Sequence, residues 1–501
     1  MDKRKSILNV SVSVTFKIIT MVMAVVVKRF LIQICGNEVN GLNALYLSVI
    51  GFLAVAELGV GSAISFCMYR PIVDNNEAQV AALYRLFKRV YTAVAVFILA
   101  AGLLITPFIH LLASDYAEIN VNLYSTFVLM LISVVITYPY SAKTSLINAY
   151  KNNYITTAIT SGGIVLQYVL QLGALLVFGT FEAYLCCRII AALAQWLATD
   201  VIARKKYGRI MVQNHAIDEE NRYTLIRSIK AMFMHQIGSL LVNTVDSIVI
   251  SVFVGVVALG EYSNYTMILS SMTGIIIMVF NSLVSVVGHF YAKRSKVEVR
   301  IYFEMFHLIN FMIGVVFYLG YYAIVDELVS LLFGSELVMD RAVIMVMTLN
   351  GFVQFMRRFT IMFREATGTF YYDRWRPIFE GTVNIMLSIL FVKAFDVVGV
   401  IVATLITSLL ICHVVEPQVI YRHALDGKPA AFYLRNYGLI TLFFVLLKMM
   451  DMCMQHSGKP LHDLFINGFI SVGVSFVACT LSVLMNIGIC KRFIGIKHNE
   501  M

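Results

Sequence analysis

The chain has 501 residues, of which 59% are hydrophobic and only 14% are charged. Soluble domains are about half apolar and about a quarter charged, so this composition excludes a soluble enzyme, a disordered scaffold and a nucleic-acid binder. The net charge of +10 has another explanation, because membrane proteins keep an excess of Lys and Arg in their cytoplasmic loops. The composition predicts a polytopic helical membrane protein.

Uncharged apolar runs recur along the whole chain. A helix needs about 20 mainly apolar residues to cross the hydrocarbon core, and many of the runs meet this length. The pattern predicts an all-α protein with about 14 transmembrane helices. Their approximate bounds are 8–35, 42–69, 90–112, 121–148, 153–178, 182–203, 230–255, 261–291, 303–325, 340–364, 377–394, 397–421, 434–452 and 464–490.

The distribution of basic residues predicts the orientation. Most of the 39 Lys and Arg residues lie near the two termini or in the even-numbered gaps between predicted spans. The odd-numbered gaps hold few of them, Lys393 and Lys459 among these. Under the positive-inside rule, this asymmetry predicts that the N- and C-termini are both cytoplasmic. We therefore expect an even number of spans.

The predicted map repeats with an offset of about 219 residues. Gly36 and Gly41 follow the first span, and Gly255 and Gly260 follow the seventh. Spans 1–6 and 7–12 therefore look like two copies of a six-helix unit, and two such lobes suit transport by alternating access. The predicted parts are an N-terminal lobe over 1–203, a cytoplasmic linker over 204–229, a C-terminal lobe over 230–424, and two further helices with a cytoplasmic tail over 425–501.

Two of the predicted spans have a polar face. Lys17 and Lys28 are eleven residues apart in the first span, and three helical turns plus about 20° place them on one side. His235 and Asp246 have the same spacing at corresponding positions of the seventh span. Ionisable groups inside a membrane mark candidate sites, and a cleft between two lobes requires such faces. In the alternative, Lys28 and Arg29 extend to the membrane surface and Asp246 pairs with a neighbour.

Further polar residues lie deep within predicted spans. Glu57 is in the middle of the second span, and Tyr46 precedes it by eleven residues on the same face. A carboxylate at this depth could bind a coupling cation, pair with a lysine of the first span, or hold a structural hydrogen bond. Asn264 in the eighth span could line a wet cavity or join helices. The eight cysteines and ten histidines lack metal-ligand spacing, so we predict no metal site and no cofactor.

Several motifs of this chain resemble those of one known family. They are Arg29 through Gly36, Gly41-Leu42-Asn43, Ala56-Glu57-Leu58-Gly59, Tyr69-Arg70-Pro71, Gly260-Glu261-Tyr262-Ser263-Asn264-Tyr265, Asp373-Arg374-Trp375-Arg376-Pro377, Asn384 and Glu416-Pro417. Over nearly its whole length the chain resembles the polysaccharide-export branch, the Wzx-type flippases, of the multidrug/oligosaccharidyl-lipid/polysaccharide (MOP) exporter superfamily. The resemblance implies a MATE-like V shape of two lobes, with a cleft lined by spans 1, 2, 7 and 8.

The resemblance also implies a function. Family members move undecaprenyl-pyrophosphate-linked oligosaccharide repeat units to the outer leaflet of the bacterial cytoplasmic membrane, for capsule or exopolysaccharide biosynthesis. The implied partners are this lipid-linked oligosaccharide, membrane lipids, and a polysaccharide polymerase with its assembly proteins. A pyrophosphate needs fixed cations in the cleft. The candidates for substrate binding are Lys17, Lys28, Arg29, Arg70, Tyr46 and Asn264, and those for coupling to Na⁺ or H⁺ are Glu57, His235 and Asp246.

Three other functions compete with this one. A cation-coupled drug antiporter of the same superfamily should have an acid-dominated cleft, whereas the first span here is cationic. A peptidoglycan-precursor flippase differs more subtly, but the motifs at 56–59 and 260–265 resemble the polysaccharide branch. A membrane glycan polymerase would carry Arg or His in a long external loop, and the widest external gap, 325–340, has neither. We therefore expect a flippase and not an enzyme.

Overall fold

Every regular element in the described part of the chain is a helix. The computed structural model describes residues 3–57, 60–114, 120–213, 244–425, 427–455 and 457–500. The predicted all-α fold class is confirmed over these residues. Nine helical segments among them are long and apolar enough to cross a membrane. A multi-pass membrane protein is therefore supported, while the total of about 14 spans stays a prediction.

Residue packing divides the chain into two compact units, Met1–Gly260 (unit 1) and Glu261–Met501 (unit 2). The helices of unit 1 are α1 (Lys3–Cys35), α2 (Asn37–Leu53), α3 (Val60–Val73), α4 (Glu77–Ile105), α5 (Leu123–Val135), α6 (Tyr138–Ala149), α7 (Asn153–Phe178), α8 (Phe181–Val212) and α9 (Thr244–Phe253). The predicted lobe boundaries at residues 203 and 230 stay predictions.

The next helix, α10 (Val256–Lys293), begins in unit 1 and continues into unit 2. The other helices of unit 2 are α11 (Lys296–Leu332), α12 (Arg341–Thr367), α13 (Arg376–Thr407), α14 (His413–Ile420), α15 (Ala430–Cys453), α16 (Pro460–Met485) and α17 (Ile487–Glu500). A π-helical turn, Ser408–Cys412, joins α13 to α14. Ser295 and Glu298 form a reciprocal capping box at the start of α11.

The chain turns sharply inside α13. The apolar segment Arg376–Leu425 has 50 residues, and a straight helix of that length would extend about 75 Å, more than twice the hydrocarbon thickness. Asp396 interrupts it with a φ of 48°. A Cβ on Gly399 would lie 2.3 Å from the carbonyl oxygen of Phe391, which no straight helix brings so close. The turn falls between the predicted spans 377–394 and 397–421.

An aromatic core holds the helices of unit 2 together near one end of α12. The Phe303 ring of α11 lies 5.4 Å from the Phe359 ring and 4.8 Å from the Phe363 ring, between centroids. Tyr421 and Phe432 complete the cluster, and all five side chains are buried. Because interiors are close-packed, this core fixes α12 against the segment that follows α14 and thereby positions the ion cluster described below.

Candidate functional site

The first helix carries three of the predicted cationic side chains. Helix α1 runs without interruption from Lys3 to Cys35, so the spacing of Lys17 and Lys28 does place them on one side of it. Within the apolar span Thr15–Cys35, the Lys17 side chain is exposed, Lys28 is half-buried and Arg29 is exposed. Among the described residues, most of those in this span are not buried. The helix can therefore offer positive charge to a ligand.

The fourth predicted cation lies on a different helix. Arg70 is close to the end of α3, and its Nε atom is 3.9 Å from Oδ2 of Asp74. The Arg70 side chain is 91% exposed. An exposed pair at this distance contributes little binding energy, so the Arg70 guanidinium stays accessible to an anion.

The two uncharged substrate candidates are buried. The Tyr46 hydroxyl is 3.0 Å from the carbonyl oxygen of Leu123 and 3.0 Å from Oγ1 of Thr126, and its ring packs edge-on against Phe127. Tyr46 thus joins α2 to α5 inside unit 1, and a glycan could contact it only if these helices parted. Asn264 on α10 is also inaccessible to solvent. Their role in substrate binding stays a prediction.

Glu57 lies where the second predicted span is interrupted. It ends the short 3-10 segment Ala54–Glu57, which follows α2. Its carboxylate accepts side-chain hydrogen bonds from the phenols of Tyr91 on α4 and Tyr138 on α6. Phenols donate hydrogen bonds without bringing a positive charge, so these two partners solvate the carboxylate without neutralising it. The arrangement suits a site that takes up H⁺ or Na⁺.

The other two coupling candidates are only partly described. Asp246 is buried in α9, whereas His235 lies outside the described residues, so the polar face that they were predicted to share stays a prediction. Helix α9 is held in unit 1 through Ser251. The Ser251 hydroxyl donates to the carbonyl oxygen of Leu112 over 2.6 Å, and the Ser114 hydroxyl donates to the Ser251 carbonyl oxygen over 3.1 Å.

The two glycine motifs of the predicted repeat contact each other within unit 1. Gly36 and Gly255, which precede α2 and α10, both have positive φ, 92° and 129°, a conformation that favours glycine. One turn later, a Cβ on Gly41 would lie 1.9 Å from the carbonyl oxygen of Val256, and a Cβ on Gly260 would lie 2.6 Å from that of Asn37. Residues 36–41 and 255–260 therefore form a close crossing, which we call the glycine crossing.

Two asparagines hydrogen-bond across the glycine crossing. The Asn37 side-chain amide donates to the carbonyl oxygen of Val257 over 3.1 Å, and the Asn40 amide donates to that of Gly260 over 3.0 Å. Small residues allow helix backbones to approach, and amide side chains then join them. The sequence predicted these positions as a repeat but did not reveal that the two copies meet.

Sequence reasoning missed a buried ion cluster in unit 2. Its six members, at most 9% exposed, are Arg357, Arg364, Asp373, Arg376, Glu380 and Glu416. The charges of the three guanidinium and three carboxylate groups sum to zero. Removing any one of the six would leave an uncompensated charge in the interior, which is strongly destabilising. One signal was available: Arg357 and Arg364 are seven residues apart on α12, which is nearly two helical turns.

Glu416 is the central acceptor of this ion cluster. Its Oε1 atom lies 2.9 Å from Nε of Arg357, 3.2 Å from Nη1 of Arg364 and 3.1 Å from Nη2 of Arg376. Helices α12, α13 and α14 each contribute to these contacts. A single carboxylate oxygen thus connects three helices of unit 2.

The two other carboxylates close the cluster around the same arginines. Glu380 pairs with Arg357 over 2.9 Å and with Arg376 over 2.6 Å. Asp373 pairs with Arg376 over 3.0 Å and also with Arg364. Because every guanidinium group contacts at least two carboxylates, the arginines are held in place and are not available to a ligand. We assign this cluster to the stability of unit 2.

Comparisons with known proteins agree on a family and a fold. A family model described as "Polysaccharide biosynthesis protein" matches residues 6–286, which is more than half of the chain. No curated protein sequence matches. Among solved structures, the lipid II flippase MurJ in an inward closed conformation superposes with a TM-score of 0.65 at 11% identity, over 95% of this chain and 99% of that chain.

Two transporters of the MATE family have the same fold. An inward-facing multidrug resistance MATE transporter of the MOP superfamily has a TM-score of 0.64 at 14% identity, over 86% of this chain and 98% of that chain. A Vibrio cholerae MATE transporter, VcmN, solved as a point mutant, has a TM-score of 0.54 at 13% identity, over 81% of this chain and 95% of that chain. At such identities these likenesses establish the fold.

Proposed function

Because the chain belongs to the polysaccharide biosynthesis protein family, we propose that it is a flippase for undecaprenyl-pyrophosphate-linked oligosaccharide repeat units in the bacterial cytoplasmic membrane. The predicted membership of the chain in the MOP superfamily is confirmed by the family model and by the fold. The family and the fold are those of transporters and flippases. The cargo, the membrane and the cytoplasmic position of both termini are parts of the proposal.

The exposed Lys17 side chain within an apolar span is the observation that carries this proposal. A charged side chain facing hydrocarbon is costly, so the ammonium group of Lys17 must reach water or an anion from this position. Lys28 lies three turns along the same face, and Arg29 is beside it. A pyrophosphate would meet lysine as a point charge and arginine as a bidentate donor. The lipid tail could meanwhile stay in the bilayer.

We expect Lys17→Gln and Lys28→Gln each to lower the transport rate about tenfold or more, because a hydrogen bond to a charged group contributes about 1.5–3 kcal/mol. Transport is measured as extracellular polysaccharide in a complemented deletion strain, with the membrane level of each variant checked by immunoblot. Lys448→Gln is the matched control, since Lys448 is an exposed lysine only five residues from the end of the apolar helix α15, from where its side chain can extend to the membrane surface. Full export by both variants would contradict the cationic site.

The same fold also serves other cargo, so the substrate has to be tested directly. A peptidoglycan-precursor flippase and a cation-coupled drug antiporter are the alternatives from the same superfamily. Purified protein in liposomes can be offered a lipid-linked oligosaccharide, a lipid-linked peptidoglycan precursor and an organic cation in turn. We expect transport of the first and discrimination against the organic cation, because the face of α1 is positive.

We propose that the glycine crossing, which lies within unit 1, closes one end of the transport path while it is formed. The contacts lie at the ends of α1 and α9 that the charge distribution predicts to be external. The side-chain amides of Asn37 and Asn40 donate hydrogen bonds to the carbonyl oxygens of Val257 and Gly260. In this proposal, these two hydrogen bonds keep the end closed. Alternating access requires such a contact to break once per cycle.

We propose that Glu57 couples transport to an ion. Glu57→Gln keeps the shape of the side chain but removes its charge, so we expect transport that no longer responds to a Na⁺ or H⁺ gradient and is about tenfold slower at a saturating gradient. Transport in liposomes with imposed gradients measures this. Glu77→Gln is the control, because Glu77 is exposed at the start of α4 in the same unit. A Glu57→Gln variant that keeps its ion dependence would contradict the assignment.

A further inference from the structure

Helices α4, α6 and α8 line a cavity of about 990 Å³ on unit 1, separate from the face of α1. It lies at the end of these helices that the charge distribution predicts to be cytoplasmic. Its charged lining consists of Arg85, Lys88, Arg89, Lys143, Asp200 and Arg204. We call this the basic cavity, because five of the six charges are positive.

The single carboxylate of the basic cavity is already neutralised. Asp200 pairs with Lys143, and its Oδ2 atom lies 2.7 Å from Nε of Arg204. Lys143 is buried by this contact. Asp200 therefore cannot also balance the charges on α4.

Three cations on α4 then remain on one face. Arg85, Lys88 and Arg89 are three and four residues apart, a spacing that makes them neighbours on a helix and makes like charges repel. The Arg85 guanidinium donates a hydrogen bond to the main-chain carbonyl of Gln213, which is a neutral acceptor. Within the described residues, neither Lys88 nor Arg89 forms an ion pair. Such a triad is stabilised by an anion that bridges its members.

The rest of the lining is mostly apolar, and part of it is exposed. Val96 and Phe97 on α4 are 60% and 54% exposed, and Val212 on α8 is 82% exposed. A free anion would not contact these apolar side chains, whereas a lipid would place its acyl chains against them. The cavity thus combines a cationic floor with an apolar wall, which is the chemistry that binds lipid headgroups between transmembrane helices.

We propose that the basic cavity binds the phosphate headgroup of an anionic membrane phospholipid. The proposal requires only that the chain spans a membrane, and it does not depend on the cargo. The lipid phosphate would bridge Arg85, Lys88 and Arg89, and its chains would lie along α4.

Native mass spectrometry of the full-length protein in detergent tests the proposal, with phosphatidylglycerol and phosphatidylcholine as probes. Each basic residue near an anionic surface contributes about a fivefold gain in affinity. We therefore expect the triple variant R85Q/K88Q/R89Q to bind phosphatidylglycerol about a hundredfold more weakly than the natural protein. The matched control is K205Q/K206Q/R209Q, which removes the same charge from exposed positions of α8 that do not line the cavity. We expect this control to bind normally.

Five outcomes would overturn the proposal. Equal losses in both triple variants would mean general charge attraction. Phosphatidylcholine also carries a phosphate but has no net charge, so binding as tight as that of phosphatidylglycerol would mean that the cavity does not select an anionic lipid. Competition by millimolar inorganic phosphate, or strong preference for undecaprenyl pyrophosphate, would assign the cavity to a free anion or to the cargo. Finally, the acidic run Asp218-Glu219-Glu220 follows α8; if phosphatidylglycerol binds only after its neutralisation, the chain itself supplies the anion.

Discussion

Glu416→Gln should destabilise unit 2 by about 3–5 kcal/mol, because breaking a buried ion network by removing one partner leaves uncompensated charge. The buried Oε1 atom of Glu416 contacts three arginines. The neutral amide of the glutamine variant would leave the cluster with a net positive charge. The apparent unfolding temperature in detergent, followed with a thiol-reactive dye, measures the effect. When the other seven cysteines are replaced, Cys412, which is buried and 3.1 Å from Nη1 of Arg376, reports opening of this region.

The control for this prediction is Glu365→Gln. Glu365 is an exposed carboxylate on α12, adjacent in sequence to Arg364, and surface changes of this kind usually alter stability by less than about 0.5 kcal/mol. The double variant E416Q/R357Q restores neutrality to the cluster. We therefore expect its loss of stability to be smaller than the sum of the losses in the two single variants. If Glu416→Gln unfolds at the same temperature as Glu365→Gln, the cluster does not stabilise unit 2.

Gly41→Ala should abolish most transport while leaving the protein in the membrane. The added methyl group would lie 1.9 Å from the carbonyl oxygen of Val256, and because this neighbour is backbone, α2 and the start of α10 must separate. Loss of the crossing would cost the hydrogen bonds of Asn37 and Asn40, and we expect transport to fall more than tenfold. The transport assay with membrane levels checked by immunoblot measures this loss.

Cross-linking shows whether the crossing itself has opened. In a background without native cysteines, a bifunctional thiol reagent should join Asn37→Cys to Val257→Cys efficiently, and Gly41→Ala should suppress this product. Gly51→Ala is the control on the same helix, because a Cβ there would meet only Thr244, at 3.9 Å. Unchanged cross-linking and unchanged transport in Gly41→Ala would show that the crossing tolerates the methyl group and does not gate the path.

The helical class and the face of α1 were predictable because they depend on local periodicity. Apolar run length indicates the helices, and an eleven-residue spacing on an unbroken helix leaves little freedom for Lys17 and Lys28. The matched glycines were also visible, since a repeat is a property of the sequence. That Gly41 meets Val256 was not, because the contact joins segments more than two hundred residues apart.

The ion cluster and the site at Glu57 required tertiary structure. Arg357, Asp373 and Glu416 each lie near the end of a span, where a charge is most simply explained by the membrane surface. Only the packing of α12, α13 and α14 shows that they neutralise one another. Likewise, periodicity makes 42–69 one helix, while the structure interrupts it at Ala54–Glu57. The phenol partners of Glu57, Tyr91 and Tyr138, come from α4 and α6. No local sequence pattern indicates that these helices approach Glu57.

The proposed flippase activity is tested most directly by analysing lipid-linked intermediates after deletion of the gene. Mass spectrometry identifies the intermediates, and a membrane-impermeant probe reports which leaflet holds their glycans. We expect complete undecaprenyl-pyrophosphate oligosaccharide units to accumulate in the inner leaflet. The natural chain should return them to the outer leaflet, and Lys17→Gln should do so about tenfold more slowly or less. Repeat units that reach the outer leaflet at the normal level without this protein would contradict the proposal.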